Sequence, residues 1–97
     1  MSFEQALNTT LAAAFGDDQS LVLELRGAFI ESAERHCRAM AEAASDDEWR
    51  DAALRLKGLA ASFGATSLME QAGRAAASAR NSRLLVELQG SVAAVAL

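Results

Sequence analysis

The chain has 97 residues, a formal net charge of −4, one cysteine, and neither proline nor tyrosine. That length fits one hydrophobic core, so a single domain over residues 1–97 is expected. The acidic balance excludes the cationic footprint that nucleic acid demands, the lone Cys37 excludes a disulfide framework, and no run approaches the roughly 20 apolar residues that span a bilayer. No charged region followed by an apolar one opens the chain, so a reducing, cytosolic setting with protein partners and no membrane is expected.

Ala, Leu, Glu and Arg dominate and β-branched residues are few, which predicts helix throughout. Ser2 with Gln5 reads as a capping box for a first helix from Phe3 to Phe15, closed by Gly16. Asp17 and Asp18 offer N-caps for a second helix running to about Ala44, since carboxylates suit the partly positive helix N-terminus. Ser45 with Glu48 opens a third helix that reaches Phe63 and stops at Gly64. Ser67 with Glu70 opens a fourth, ending near Arg80. After a turn at Asn81 and Ser82, a last helix carries a wide apolar face of Leu84, Leu85, Val86, Leu88, Val92, Val95 and Leu97. Loops this short join antiparallel neighbours, so the expected fold is an all-α, up-and-down four-helix bundle with the first helix as a short lid.

The third helix is the informative one. At 100° per residue, Trp49, Ala53, Leu56, Leu59, Ala60 and Phe63 share one arc, which must be the buried face. Leu54, Gly58, Ala61 and Ala65 then lie on the opposite side, where a solvated helix usually carries charge. Arg50, Arg55 and Lys57 surround them. The predicted surface is an apolar knob beside a glycine dent, rimmed by cations. An interior helical glycine costs about 0.5–1 kcal/mol relative to alanine, and because Gly58 points outward, close approach by an external partner is the expected compensation. Single exposed leucines are common, and it is the neighbouring glycine and cations that lift this one above the ordinary surface.

The stretch Ala53-Leu54-Arg55-Leu56-Lys57-Gly58, with Ala60, Phe63-Gly64-Ala65 and Leu68, resembles the signature of the histidine-phosphotransfer (HPt) domains of two-component phosphorelays. There the pattern is His-x-Leu-Lys-Gly, then small residues, Gly-Ala and a leucine. The likeness extends to Gly16-Asp17-Asp18, to Leu21, Leu25 and Phe29, and to the acidic turn before Trp49, and so covers nearly the whole chain. The departure from the family lies at Leu54, which stands where the phospho-accepting histidine belongs. A hydrocarbon side chain has no lone pair to attack an aspartyl phosphate. The family's Glu or Gln that orients the histidine is matched here by Ala76. Lys57, Gly58 and Gly64 remain. The resemblance therefore implies a binding module, not an enzyme, that docks the receiver domain of a response regulator or a histidine kinase without taking phosphate, Lys57 pairing with acidic residues of the partner. Arg50, Leu54, Arg55, Lys57, Gly58, Ala61 and Ala65 would form the contact, with no cofactor.

Two other readings compete. The apolar face of the last helix offers an interface for a homodimer in which Leu54 plays no part. The one histidine, His36, is a conceivable alternative phosphate acceptor; yet it shares an arc with Leu25, Phe29, Ser32, Met40 and Ala43, which places it in the core, while Cys37 falls at the edge of that face as a small packing residue. No metal site is expected, because His36 has no partner at ligand spacing and Asp46, Asp47 and Glu48 suit capping of the third helix.

Overall fold

The computed structural model describes Thr9, Leu11, Ala13 and residues 18–96. Four helices are bounded within them: α1 (Gln19–Glu42), α2 (Asp46–Ser62), α3 (Thr66–Ala76) and α4 (Ser82–Ala96). Of the helix expected from Phe3 to Phe15, the described residues Thr9, Leu11 and Ala13 have helical backbone, and Leu11 is buried in the core. The expected cap pair Ser2 and Gln5, the stop at Gly16 and the alternative cap Asp17 lie outside the described residues.

The helix starts follow side-chain chemistry in three cases out of four. The Asp18 carboxylate accepts from the Leu21 amide at 3.0 Å, satisfying one of the donors that a helix N-terminus leaves orphaned. Ser45 Oγ accepts from the Glu48 amide at 3.1 Å, and Glu48 reaches back to the Ala44 amide at 2.6 Å, one residue outside the usual reciprocal bond. Asn81 caps α4 through the amides of Arg83 and Leu84, at 2.9 and 3.3 Å. The exception is α3, where Ser67 and Glu70 do not form the expected box. That helix begins at Thr66, and its cap position, Ala65, contributes no side-chain bond.

The reason lies in how α2 ends. Gly64 has φ 70°, the Ala65 amide donates to the Ala60 carbonyl at 2.9 Å, and the Gly64 amide donates to the Ala61 carbonyl at 3.2 Å. This is the Schellman arrangement, and it carries the chain into α3 without a further cap. Gly64→Ala places a Cβ in the left-handed region, so a loss of about 1–2 kcal/mol is expected, read as a lowered thermal unfolding midpoint. The other end of α3 also differs from expectation: it stops at Ala76, not near Arg80. Arg80 instead clamps the preceding loop onto the α1–α2 turn, its amide donating to the Asp46 carboxylate and its guanidinium to the Ala43 carbonyl, both at 3.0 Å.

Helix α2 packs on α1 and α3, and α4 packs on the same two neighbours. Alanines 52, 53 and 60 of α2 and 72 and 75 of α3 are buried, which lets these backbones approach closely. Trp49 ties the first turn of α2 to the last turn of α3, its indole N–H donating to the Ala75 carbonyl at 2.7 Å. Phe29 of α1 meets Phe63 with ring centroids 4.9 Å apart. The apolar face of α4 is largely consumed in this core. Leu88, Val92 and Val95 are buried, Leu84 and Leu85 are half-buried, and Val86 stands out at 64% exposure. Leu97 lies outside the described residues. The wide free face expected for a homodimer is thus mostly interior.

Candidate functional site

The Schellman turn and the Trp49 anchor fix the rotation of α2, and with it the side that faces out. Trp49, Ala53, Leu56 and Ala60 are buried, Leu59 and Phe63 are half-buried, and Ala52 joins them in the core. Leu54 on the other side is 47% exposed, a large fraction for so apolar a side chain, and Gly58 and Ala61 are exposed beside it. A Cβ built at Gly58 would meet nothing within 4 Å, so the glycine answers no packing need within the described fold. The Ser62 hydroxyl donates to the Gly58 carbonyl at 3.0 Å and lies along the same edge.

Ala65 is the correction to this face. It is fully buried, because stepping 100° per residue holds only while the helix continues. The left-handed Gly64 reverses the chain and turns Ala65 inward, its amide bonded to the Ala60 carbonyl. Ala65 is therefore a structural residue and leaves the contact set.

The three cations are exposed and differ in their company. Arg50 pairs with Asp47, one turn earlier, at 2.6 Å; both ends are solvated, so the pair contributes little to stability. Lys57 lies with its stem against α3. The three atoms nearest to a Cβ built at Gly73 would be its Cδ and Cε at 3.8 Å and its Nζ at 3.9 Å. Neither Asp47 nor Gly73 was anticipated as part of this surface, although Asp47 sits at pairing distance from Arg50 in sequence and Gly73 is an interior helical glycine like Gly58. Ala76 is half-buried at the end of α3.

The expected places of His36 and Cys37 are exchanged. Cys37 is 3% exposed and belongs to the core with Phe29, Ala33 and Met40, whereas His36 is half-buried. Because α1 packs on both α2 and α4, its core face is centred between those neighbours and not on the arc of largest side chains. Burial pushes the Cys37 thiol up to about 11, with Glu34 adding to the effect, so the nucleophilic thiolate is scarce at neutral pH. His36 lines a cleft of about 320 Å³ between α1 and α2 with Glu42, Glu48, Asp51 and Arg55. A second cleft of about 280 Å³ lies between α1 and α4, over Cys37 and Val92. Neither is lined by Leu54, Lys57 or Gly58.

No protein-family model, curated protein or solved structure matches this chain. The site therefore stands on its own geometry. Among the described residues no cluster of His, Cys, Asp and Glu is placed to hold a metal ion, and no helix is long and apolar enough to cross a membrane. What the outer face of α2 offers chemically is contact: an apolar side chain, a gap in the helix surface where another backbone can approach, and flanking positive charge.

Burial lowers the pKa of His36, helped by the Arg35 and Arg55 guanidinium groups, so folding favours the neutral ring. The unfolded chain then binds more protons between the lowered value and the ordinary one near 6.5, and stability rises with pH across that window. Between pH 7.5 and 5.5 the wild-type urea midpoint is expected to fall further than that of His36→Gln. Equal falls would show that the ring is free of this penalty.

Proposed function

We propose that this chain is an HPt-like docking module of two-component signalling, an up-and-down four-helix bundle with an N-terminal lid, that binds a receiver domain or a histidine kinase and takes no phosphate. The observation that carries this reading is the outward Leu54, three residues before Lys57 and four before the open Gly58, on a face whose helical rotation is set by core packing. In the resembled pattern this is where phosphate is accepted, and leucine keeps the place as a contact while supplying no nucleophile. Arg55 and Lys57, with Arg50 paired to Asp47, put positive charge beside this face on a chain of net charge −4, which suits the acidic surroundings of a receiver's phosphorylatable aspartate and favours one orientation of approach. The packing of α4 supports docking through α2 over dimerisation, since the competing apolar face is mostly within the core.

The test is a titration of the isotope-labelled chain with isolated receiver domains and kinase domains, following Leu54, Lys57, Gly58 and Ala61. A genuine partner shifts these four signals saturably. Leu54→Glu is expected to weaken that binding by roughly 5- to 150-fold, because an unpaired carboxylate in an apolar contact costs about 1–3 kcal/mol. Its unfolding free energy should stay within about 0.5 kcal/mol of wild type, as for other exposed positions. Binding that survives Leu54→Glu unchanged, or shifts confined to α4, would overturn this assignment.

A further inference from the structure

Gly27, Gly58 and Gly90 lie in helix interiors with open space where a Cβ would stand, and Gly73 is the one helical glycine among the described residues whose Cβ would meet another side chain. It lies near the end of α3, between the buried Ala72 and Ala75, yet a Cβ there would find three atoms of Lys57 as its nearest neighbours, all at ordinary contact distance. No backbone or core atom comes closer. The space that a side chain longer than alanine would need at 73 is therefore taken by the lysine. Lys57 is the only lysine in the chain, beside eight arginines, and among the described residues no carboxylate lies within ion-pair distance of its ammonium. Its four-carbon stem can lie along a neighbouring surface, and here Cδ, Cε and Nζ all pass within 3.9 Å of where a Cβ of residue 73 would stand.

We infer that Gly73 is a positioning residue for docking: it seats the Lys57 side chain across α3 and so fixes where this face presents its ammonium to an acidic partner surface. The inference rests on the docking reading above. A lysine held before the partner arrives has less rotamer freedom left to lose on binding, and its charge stands at the junction of α2 and α3, separate from Arg55 and from the Asp47-paired Arg50. Alanine at 73 fits, because 3.8 Å is normal contact. Leucine does not fit without displacing the lysine, since its further carbons need the space that the stem occupies.

Two variants and one label test this. With a single lysine, reductive ¹³C-methylation gives its amine a signal distinct from the amino terminus. In the wild type and in Gly73→Ala, the methylated Lys57 should show a nuclear Overhauser contact to the α-protons of residue 73, and in Gly73→Leu the contact to the α-proton should vanish while the unfolding midpoint holds. Against an isolated receiver domain that binds the wild type, Gly73→Leu should weaken affinity by roughly 3- to 10-fold and Gly73→Ala by less than about twofold, the range expected for ordering one long side chain. Lys57→Met combined with Gly73→Leu should be no weaker than Lys57→Met alone. Absence of the contact in the wild type overturns the inference. So does undiminished binding by Gly73→Leu where Leu54→Glu does weaken it, and in that event the docking reading survives. If the contact is present but no receiver or kinase binds the wild type, the docking reading falls and takes the role of Gly73 with it.

Discussion

Trp49→Ala should lower the unfolding free energy by about 3–5 kcal/mol, the usual cost of emptying a large aromatic site in a core. A domain of this kind has about 5–15 kcal/mol in all, so the variant should populate unfolded chain measurably at ambient temperature. Three features converge on this side chain. It is 2% exposed, it stands in the first turn of α2 just past the Ser45 cap, and its indole N–H reaches the Ala75 carbonyl at the end of α3. Removing it opens a cavity and unties the two helices whose packing sets the rotation of α2. Trp49→Phe separates these effects, since it keeps most of the apolar bulk and loses the hydrogen bond, for an expected further contribution near 1 kcal/mol. Far-UV circular dichroism in urea is the appropriate probe, because Trp49 is the chain's one tryptophan and both variants abolish its fluorescence. A loss for Trp49→Ala no larger than about 0.5 kcal/mol, typical of surface positions, would mean that this anchor does not exist.

The same anchor explains why the outward face of α2 was legible in the sequence. Within α2 the apolar spacing from Trp49 to Ala60 is regular, so the outward placement of Leu54, Gly58 and Ala61 follows from periodicity alone and holds in the structure. The caps at Asp18 and Ser45 and the stop at Gly64 were legible for a similar reason: each is a local interaction between residues close in sequence. Legibility failed where geometry is set from outside the element. Ala65 was placed by extending a helical arc across a residue of positive φ, beyond which the arc no longer applies. His36 and Cys37 were exchanged because a helix with two packed neighbours buries the residues between them, and small ones such as Ala33 and Cys37 fit there better than an imidazole. The seat of Lys57 on Gly73 joins residues sixteen apart on different helices, and periodicity within one helix carries no trace of it.

Leu54→His provides the sharpest chemical contrast available on this face. The wild type should acquire no label from a phosphorylated receiver through residue 54, because leucine offers no lone pair. An imidazole at that exposed position can attack the phosphorus of the aspartyl phosphate. The new N–P bond forms as the P–O bond to the aspartate breaks, and the carboxylate leaves with the electron pair. Open space at Gly58 leaves room for the receiver's backbone, and Lys57 and Arg55 supply positive charge near the transferred group. Transfer is expected to be partial, since Ala76 has no polar atom with which to hold the ring in one tautomer. Adding Ala76→Gln should raise the labelled fraction or its rate by roughly fivefold, the equivalent of one net hydrogen bond of about 1 kcal/mol. The label should be stable to base and labile to acid, as a phosphoramidate is, and it should vanish in Leu54→His combined with Gly58→Glu, where a carboxylate blocks approach. If Leu54→His binds the receiver as tightly as wild type and still takes no phosphate, then residue 54 does not face the aspartate in the complex, and the likeness between this face and a phosphotransfer surface ends at composition.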